Sequence, residues 1–167
     1  MYFNEYYNCD TVNGEGVRCS LFVSGCNMHC DGCFNKETWK YNSGKIFTQE
    51  FEDKVIEDLK NPYISGLSLL GGNPTDKRNL SSVIKLCSRV KKEIPEKTIW
   101  IWSGHIFENL VDNLNQKQLL YLCDVLVDGR FIKELHSKNL KWKGSSNQRV
   151  IDLKKSLDTG IIVLYDE

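Results

Sequence analysis

Apolar and polar positions follow two rhythms along this chain, one with a period of two and one with helical spacing. Val17-Arg18-Cys19-Ser20-Leu21-Phe22-Val23 is rich in β-branched and aromatic residues and stops at Ser24-Gly25, which predicts a strand. Phe51, Val55, Ile56 and Leu59 share one helical face behind Thr48, a capping residue. That predicts a helix to about Lys60, ended by Asn61-Pro62. Gly66-Leu67-Ser68-Leu69-Leu70 is a second predicted strand and runs into Gly71-Gly72-Asn73-Pro74. A longer helix, from about Leu80 to Glu93, carries Leu80, Val83, Ile84, Cys87 and Val90, with Pro95 just past its end. Thr98–Trp102 is the third predicted strand and meets Ser103-Gly104. Ile106, Phe107, Leu110 and Leu114 mark a further helical stretch, and Leu119, Leu120 and Leu122 another. Asp124–Val127 is the fourth strand and closes at Asp128-Gly129. Beyond it the chain is polar and less regular until the apolar run Gly160–Tyr165.

Strands alternating with helices imply βαβ units and a parallel sheet. Ligands bind at the carboxyl ends of parallel strands, so the four unusual loops that follow the strands are expected to meet at one edge. No repeat, low-complexity run or linker divides the chain, so residues 1–167 are expected to form one domain. That length can bury a substantial core but falls short of the roughly 250 residues of a full eight-stranded barrel. Lys plus Arg and Asp plus Glu both number 22, so the net charge is zero. Such a chain is poorly suited to nonspecific binding of nucleic acid or membrane. The amino terminus has no basic segment followed by an apolar one, and no apolar run approaches the roughly 18 residues of a membrane span. A cytoplasmic, reducing location is the expectation.

Seven cysteines are an odd number, so they cannot all pair with one another. In a reducing compartment, clustered cysteines point to metal or redox chemistry. Cys26, Cys30 and Cys33 read C-x3-C-x2-C. Structural zinc sites usually show two separate pairs, and ferredoxin clusters use four cysteines at other spacings. Three thiolates in one loop leave one iron of a 4Fe–4S cluster without a protein ligand, free to hold a substrate. Zinc bound with His29 or a distant Cys, or simple free thiols, stay open on spacing alone. Cys19, Cys87 and Cys123 read as small core residues, and Cys9 less clearly so. His29 reads as exposed, and His105 and His136 carry no assigned role. Trp100 and Trp102 read as packing residues, and the lysines around Trp142 as a solvated tail.

These residues resemble the radical S-adenosylmethionine (SAM) superfamily and, within it, the family of activases of anaerobic ribonucleotide reductase. The likeness rests on the cysteine loop and on Gly71-Gly72-Asn73-Pro74. It extends through Asp10-Thr11-Val12-Asn13-Gly14-Glu15-Gly16, Gly32-Cys33-Phe34-Asn35-Lys36, Trp100-Ile101-Trp102-Ser103-Gly104, Val127-Asp128-Gly129 and Gly144-Ser145-Ser146-Asn147-Gln148. The resemblance implies an incomplete, open (β/α) barrel around a mostly parallel sheet. It implies that Cys26, Cys30 and Cys33 hold three irons and that SAM chelates the fourth. Reductive cleavage of SAM then gives methionine and a 5′-deoxyadenosyl radical, which takes hydrogen from a glycine Cα of the class III reductase. Gly32, Cys33 and Phe34 are expected near the adenine, and Gly71 and Gly72 near the methionine end of SAM. The family usually has an acidic residue where this chain has Asn73, whose oxygen is expected to accept from the SAM ammonium without adding charge. Ser103 and Asp128 are expected to contact SAM or a monovalent cation, and segment 143–149 to close the site or meet the reductase. The implied donor is of flavodoxin type. The rival readings are the activase of another glycyl-radical enzyme such as pyruvate formate-lyase, an iron–sulfur electron carrier, and a zinc module.

Overall fold

The computed structural model describes residues 1–165. In chain order the elements are β1 (Tyr2–Asp10), β2 (Arg18–Val23), β3 (Lys45–Ile46), α1 (Gln49–Leu59), β4 (Gly66–Gly71), α2 (Lys77–Glu93), β5 (Thr98–Trp102), α3 (Phe107–Val111), α4 (Leu114–Leu122), β6 (Val125–Asp128), β7 (Arg149–Asp152) and α5 (Leu153–Thr159). The strands form one sheet in the order β3-β1-β2-β4-β5-β6-β7. The fold is mixed α/β.

The expected mostly parallel sheet is parallel only in its middle, where β2, β4, β5 and β6 pair. Both edges are antiparallel, with β1 against β2 and β3, and β7 against β6. The connections explain this. A short loop joins β1 to β2, and no α-helix lies between β6 and β7 to carry a parallel crossover.

The period of two sorts the strand residues between two faces. Cys19, Leu21, Val23, Leu67, Leu69, Ile99, Ile101, Leu126 and Ile151 join the helix residues in the main core. Each such aliphatic side chain contributes about 1.5–3 kcal/mol on full burial. Thr48 caps α1 by accepting from Phe51 N at 3.2 Å, as its position predicts. Trp100, Val125, Val127 and Val150 face the other way, in a second cluster covered by Trp142 and Tyr165. This second face of the sheet leads to the candidate site.

A candidate iron–sulfur site at the carboxyl ends of the parallel strands

β2 delivers the chain at Ser24-Gly25 into the cysteine loop. Gly25 N–H donates to Thr38 O at 2.6 Å and Cys26 N–H to Trp39 O at 3.2 Å, which closes the loop onto a short 3-10 turn at Lys36–Trp39. Within it, Cys33 N–H donates to Cys30 O at 3.2 Å, and Asn35 N–H points at Cys33 Sγ at 3.4 Å. His29 and Gly32 take left-handed conformations, with φ of 45° and 69°. Only the glycine does so without strain. The His29 ring is exposed, as expected, and stacks on Trp39 at 4.5 Å. Burial pushes the Cys26 thiol up, and the backbone N–H groups of Met28 and His29 pull it back down.

β4 ends beside this loop. Gly72 N–H donates to Val23 O at 2.7 Å and Asn73 N–H to Gly25 O at 2.8 Å. Gly71 has φ of 102°, and a Cβ there would lie 2.8 Å from the Phe22 backbone. The glycine pair is therefore required by the neighbouring strand, while its other side borders open space.

That space is a cavity of about 190 Å³. Cys26, Cys30 and Cys33 line it together with Gly71 and Gly72 after β4, Ser103 and Gly104 after β5, and Gly129 after β6. All four loops meet at one edge, as topology predicts. Phe34 lines the cavity too, with its ring edge-on to Phe131 at 5.3 Å and to His136 at 5.2 Å. Gly144 and Gln148 bring segment 143–149 to the rim. Gln148 Oε1 accepts from Gly144 N at 2.8 Å, and its Nε2 donates to Gly129 O at 2.8 Å. A second cavity, about 380 Å³, lies at the opposite end of the sheet among Arg18, Trp100, Asp124 and Tyr165. The larger volume is thus not the one with the thiols.

Three of the expected SAM contacts do not line the cavity: Gly32, which lies against the Lys133 stem, Asp128 and Asn73. Asp128 is buried but does not line the cavity. Its Oδ1 accepts from Arg149 Nε at 3.0 Å and its Oδ2 from Phe107 N at 2.7 Å, which fixes the start of α3. Asn73 is also buried behind the wall. Its Oδ1 accepts from Thr75 N at 3.2 Å and Thr75 Oγ1 at 2.8 Å, so the oxygen assigned to the SAM ammonium is already engaged. Its Nδ2 has no partner among the described residues. Ser103 does reach the cavity, with Oγ 2.7 Å from Thr75 Oγ1.

Sequence reasoning missed Met28, Trp39, Trp102 and Phe131 as lining residues. Trp102 was legible in principle. It ends β5 two residues after Trp100, hence on the second face, and its Nε1 donates to Trp142 O at 2.9 Å.

Among the described residues, no group of three His, Cys, Asp or Glu side chains converges as the ligands of a metal ion would. A cubane spreads its ligands over separate irons, so three thiols around one cavity suit it better than a mononuclear metal. The glycine-lined wall also fits a bound group there.

Comparison with known proteins agrees. Residues 12–151 match the family model of the 4Fe-4S single cluster domain, which sets the class of the protein. The chain is 51% identical over 150 residues to the anaerobic ribonucleoside-triphosphate reductase-activating protein of Vibrio cholerae, covering 89% of this chain and 96% of that one. It is 46% identical over 156 residues to the protein of that name from Escherichia coli K12, covering 92% and 100%. With the one from Enterobacteria phage T4 it shares 41% over 150 residues, covering 90% and 93%. The chain belongs to the family of anaerobic ribonucleoside-triphosphate reductase-activating proteins. No helix among the described residues is long and apolar enough to cross a membrane.

Proposed function

We propose that this chain is a radical SAM oxidoreductase that installs a glycyl radical on the catalytic subunit of an anaerobic ribonucleotide reductase. The observation that carries the reading is the meeting of the three thiols with the loops after β4, β5 and β6 in one cavity. Cys26, Cys30 and Cys33 would hold a 4Fe–4S cluster, and no fourth cysteine lies in the wall among the described residues. When bound, that cluster supplies the electron that cleaves SAM to methionine and the 5′-deoxyadenosyl radical that takes hydrogen from the reductase glycine.

The chain's own residues position and enclose. Gly71 and Gly72 offer a wall without side chains, against which a ligand backbone can lie closely. Asn73 Nδ2 is a spare donor behind that wall. Ser103 reaches the cavity with a hydroxyl already bonded to Thr75 Oγ1 and His105 N, and Phe34 and Trp102 offer flat apolar surface to an adenine. Gln148 ties the rim together by donating to Gly129 O and accepting from Gly144 N. A glycine suits the target because it lets the reductase backbone come close. Within this reading the chain is one domain with an open-barrel sheet, works in the cytoplasm and takes its electron from a flavodoxin-type donor. A monovalent cation would need groups other than the Asp128 carboxylate, which Arg149 occupies.

The test is anaerobic reconstitution with iron and sulfide, reduction, addition of SAM and assay of 5′-deoxyadenosine. Product is expected from the wild type and at least a hundredfold less from Cys30→Ala. A reducible cluster without SAM cleavage would sink the reading in favour of an electron carrier. A glycyl-radical signal formed only on pyruvate formate-lyase would redirect the partner.

A further inference from the structure

We propose that Arg130 is a positioning residue for the cysteine loop and that it eases reduction of the cluster this loop would hold. The inference rests on the four-iron reading above. Arg130 follows Gly129 just past β6, and its Nη2 donates to Met28 O at 2.8 Å, across 102 residues of sequence. Met28 lies between the first two cysteines of the motif. The other end of the same peptide unit is the His29 N–H, in the stretch between Cys26 and Cys30. A guanidinium on the carbonyl polarises the peptide and strengthens that N–H as a donor. It also helps to hold His29 in its left-handed conformation.

Arg130 is itself held in place. Its carbonyl accepts from Asn147 Nδ2 at 2.9 Å, beside the Gln148 bond to Gly129 O. Lys133 adds a second cation, with its stem against Gly32 and its Nζ 3.8 Å from Asp31 Oδ2. That pair is exposed and contributes little alone. Reduction adds a negative charge to the cluster. A cation held against the cysteine loop favours the more negative state and so raises the reduction potential.

The test is a redox titration followed by electron paramagnetic resonance on reconstituted wild type, Arg130→Gln and Arg130→Lys, without SAM, at low and high salt. Iron content per chain is measured alongside. Arg130→Gln is expected to disfavour reduction about threefold, or roughly 30 mV at 59 mV per tenfold for one electron. Arg130→Lys is expected to stay near the wild type, and high salt to narrow the gap. An Arg130→Gln midpoint equal to that of the wild type, even with iron lost, would reduce Arg130 to a clamp and overturn the tuning. An Arg130→Lys midpoint as low as that of Arg130→Gln would exclude charge as the agent. A wild type that takes up no four-iron cluster would instead overturn the proposed function and carry this inference down with it.

Discussion

Arg18 and Asn73 lie at opposite ends of the same parallel strands, both buried, and their hydrogen bonding differs. Arg18 Nε donates to Ser68 Oγ at 2.7 Å, and its two other nitrogens reach Glu15 O, Thr98 Oγ1, Leu67 O and Thr98 O at 2.8–3.1 Å. Its guanidinium also lies over Trp100, 5.4 Å from the ring centre. Burial lowers its pKa to about 10, which still leaves it charged at neutral pH. Every N–H of Arg18 is engaged by this chain. Asn73 leaves one amide nitrogen without a partner among the described residues. A buried donor without a partner costs about 1–3 kcal/mol, so the carboxyl end carries a local deficit that the Arg18 end does not. The buried cation at one end is satisfied by this chain alone, and the other end gathers thiols and bare glycine backbone around a cavity.

That contrast can be broken from either side. Arg18→Met would orphan carbonyls on three segments and is expected to cost about 3–5 kcal/mol. Urea unfolding would show it, and a loss below about 1 kcal/mol would contradict the role given to Arg18. Gly71→Ala comes next, because the residue sits at φ of 102° with the Phe22 backbone in the way. It should cost about 1–3 kcal/mol and raise the KM for SAM; unchanged stability would show that β4 can shift freely. Asn73→Asp replaces the orphaned donor with an acceptor. The empty protein should lose about 1–2 kcal/mol, while SAM binding should be unchanged because the side chain does not line the cavity. Weaker SAM binding, read by calorimetry, would show that Nδ2 serves an acceptor on the ligand.

The smallest effect concerns pH. Arg149 bonds Glu108 at 2.8 and 3.0 Å and holds its carboxyl down to about 2. A depressed carboxylate stabilises fully above its unfolded value, near 4.3, and loses that contribution as pH falls through about 2. Glu108 is half exposed, so the gain is modest. The stability gap between wild type and Glu108→Gln should be present at pH 6 and shrink below pH 4. A gap that is constant with pH would mean that the ion pair is not its source.

The parallel strands and long helices were legible because each repeats its period against a continuous core. β1 was not, since only Phe3 of its nine residues is buried and its Tyr, Asn and Cys positions give no clean alternation. β7 and α5 are short, and their neighbours supply the burial. Gly160–Tyr165 has a strand-like composition, yet Ile161 and Leu164 are exposed and the run makes one isolated bridge, Ile151 with Leu164. At the site, the cysteines and Gly-Gly were legible from local spacing. The redirection of Asp128 and Asn73 was not, because Arg149 and Thr75 decide it and neither pairing has a spacing signature.

The rim of the cavity has a consequence for biosynthesis. The cysteine loop is translated early, and Arg130, which bonds its Met28 O, and Gln148, which ties Gly129 to Gly144 at the cavity rim, come late. Translation from Cys33 to Gln148 takes on the order of ten seconds. During that interval the thiols emerge on a growing chain before these contacts can form. Iron delivered then meets a loop free of them, whereas iron delivered after release meets the finished cavity.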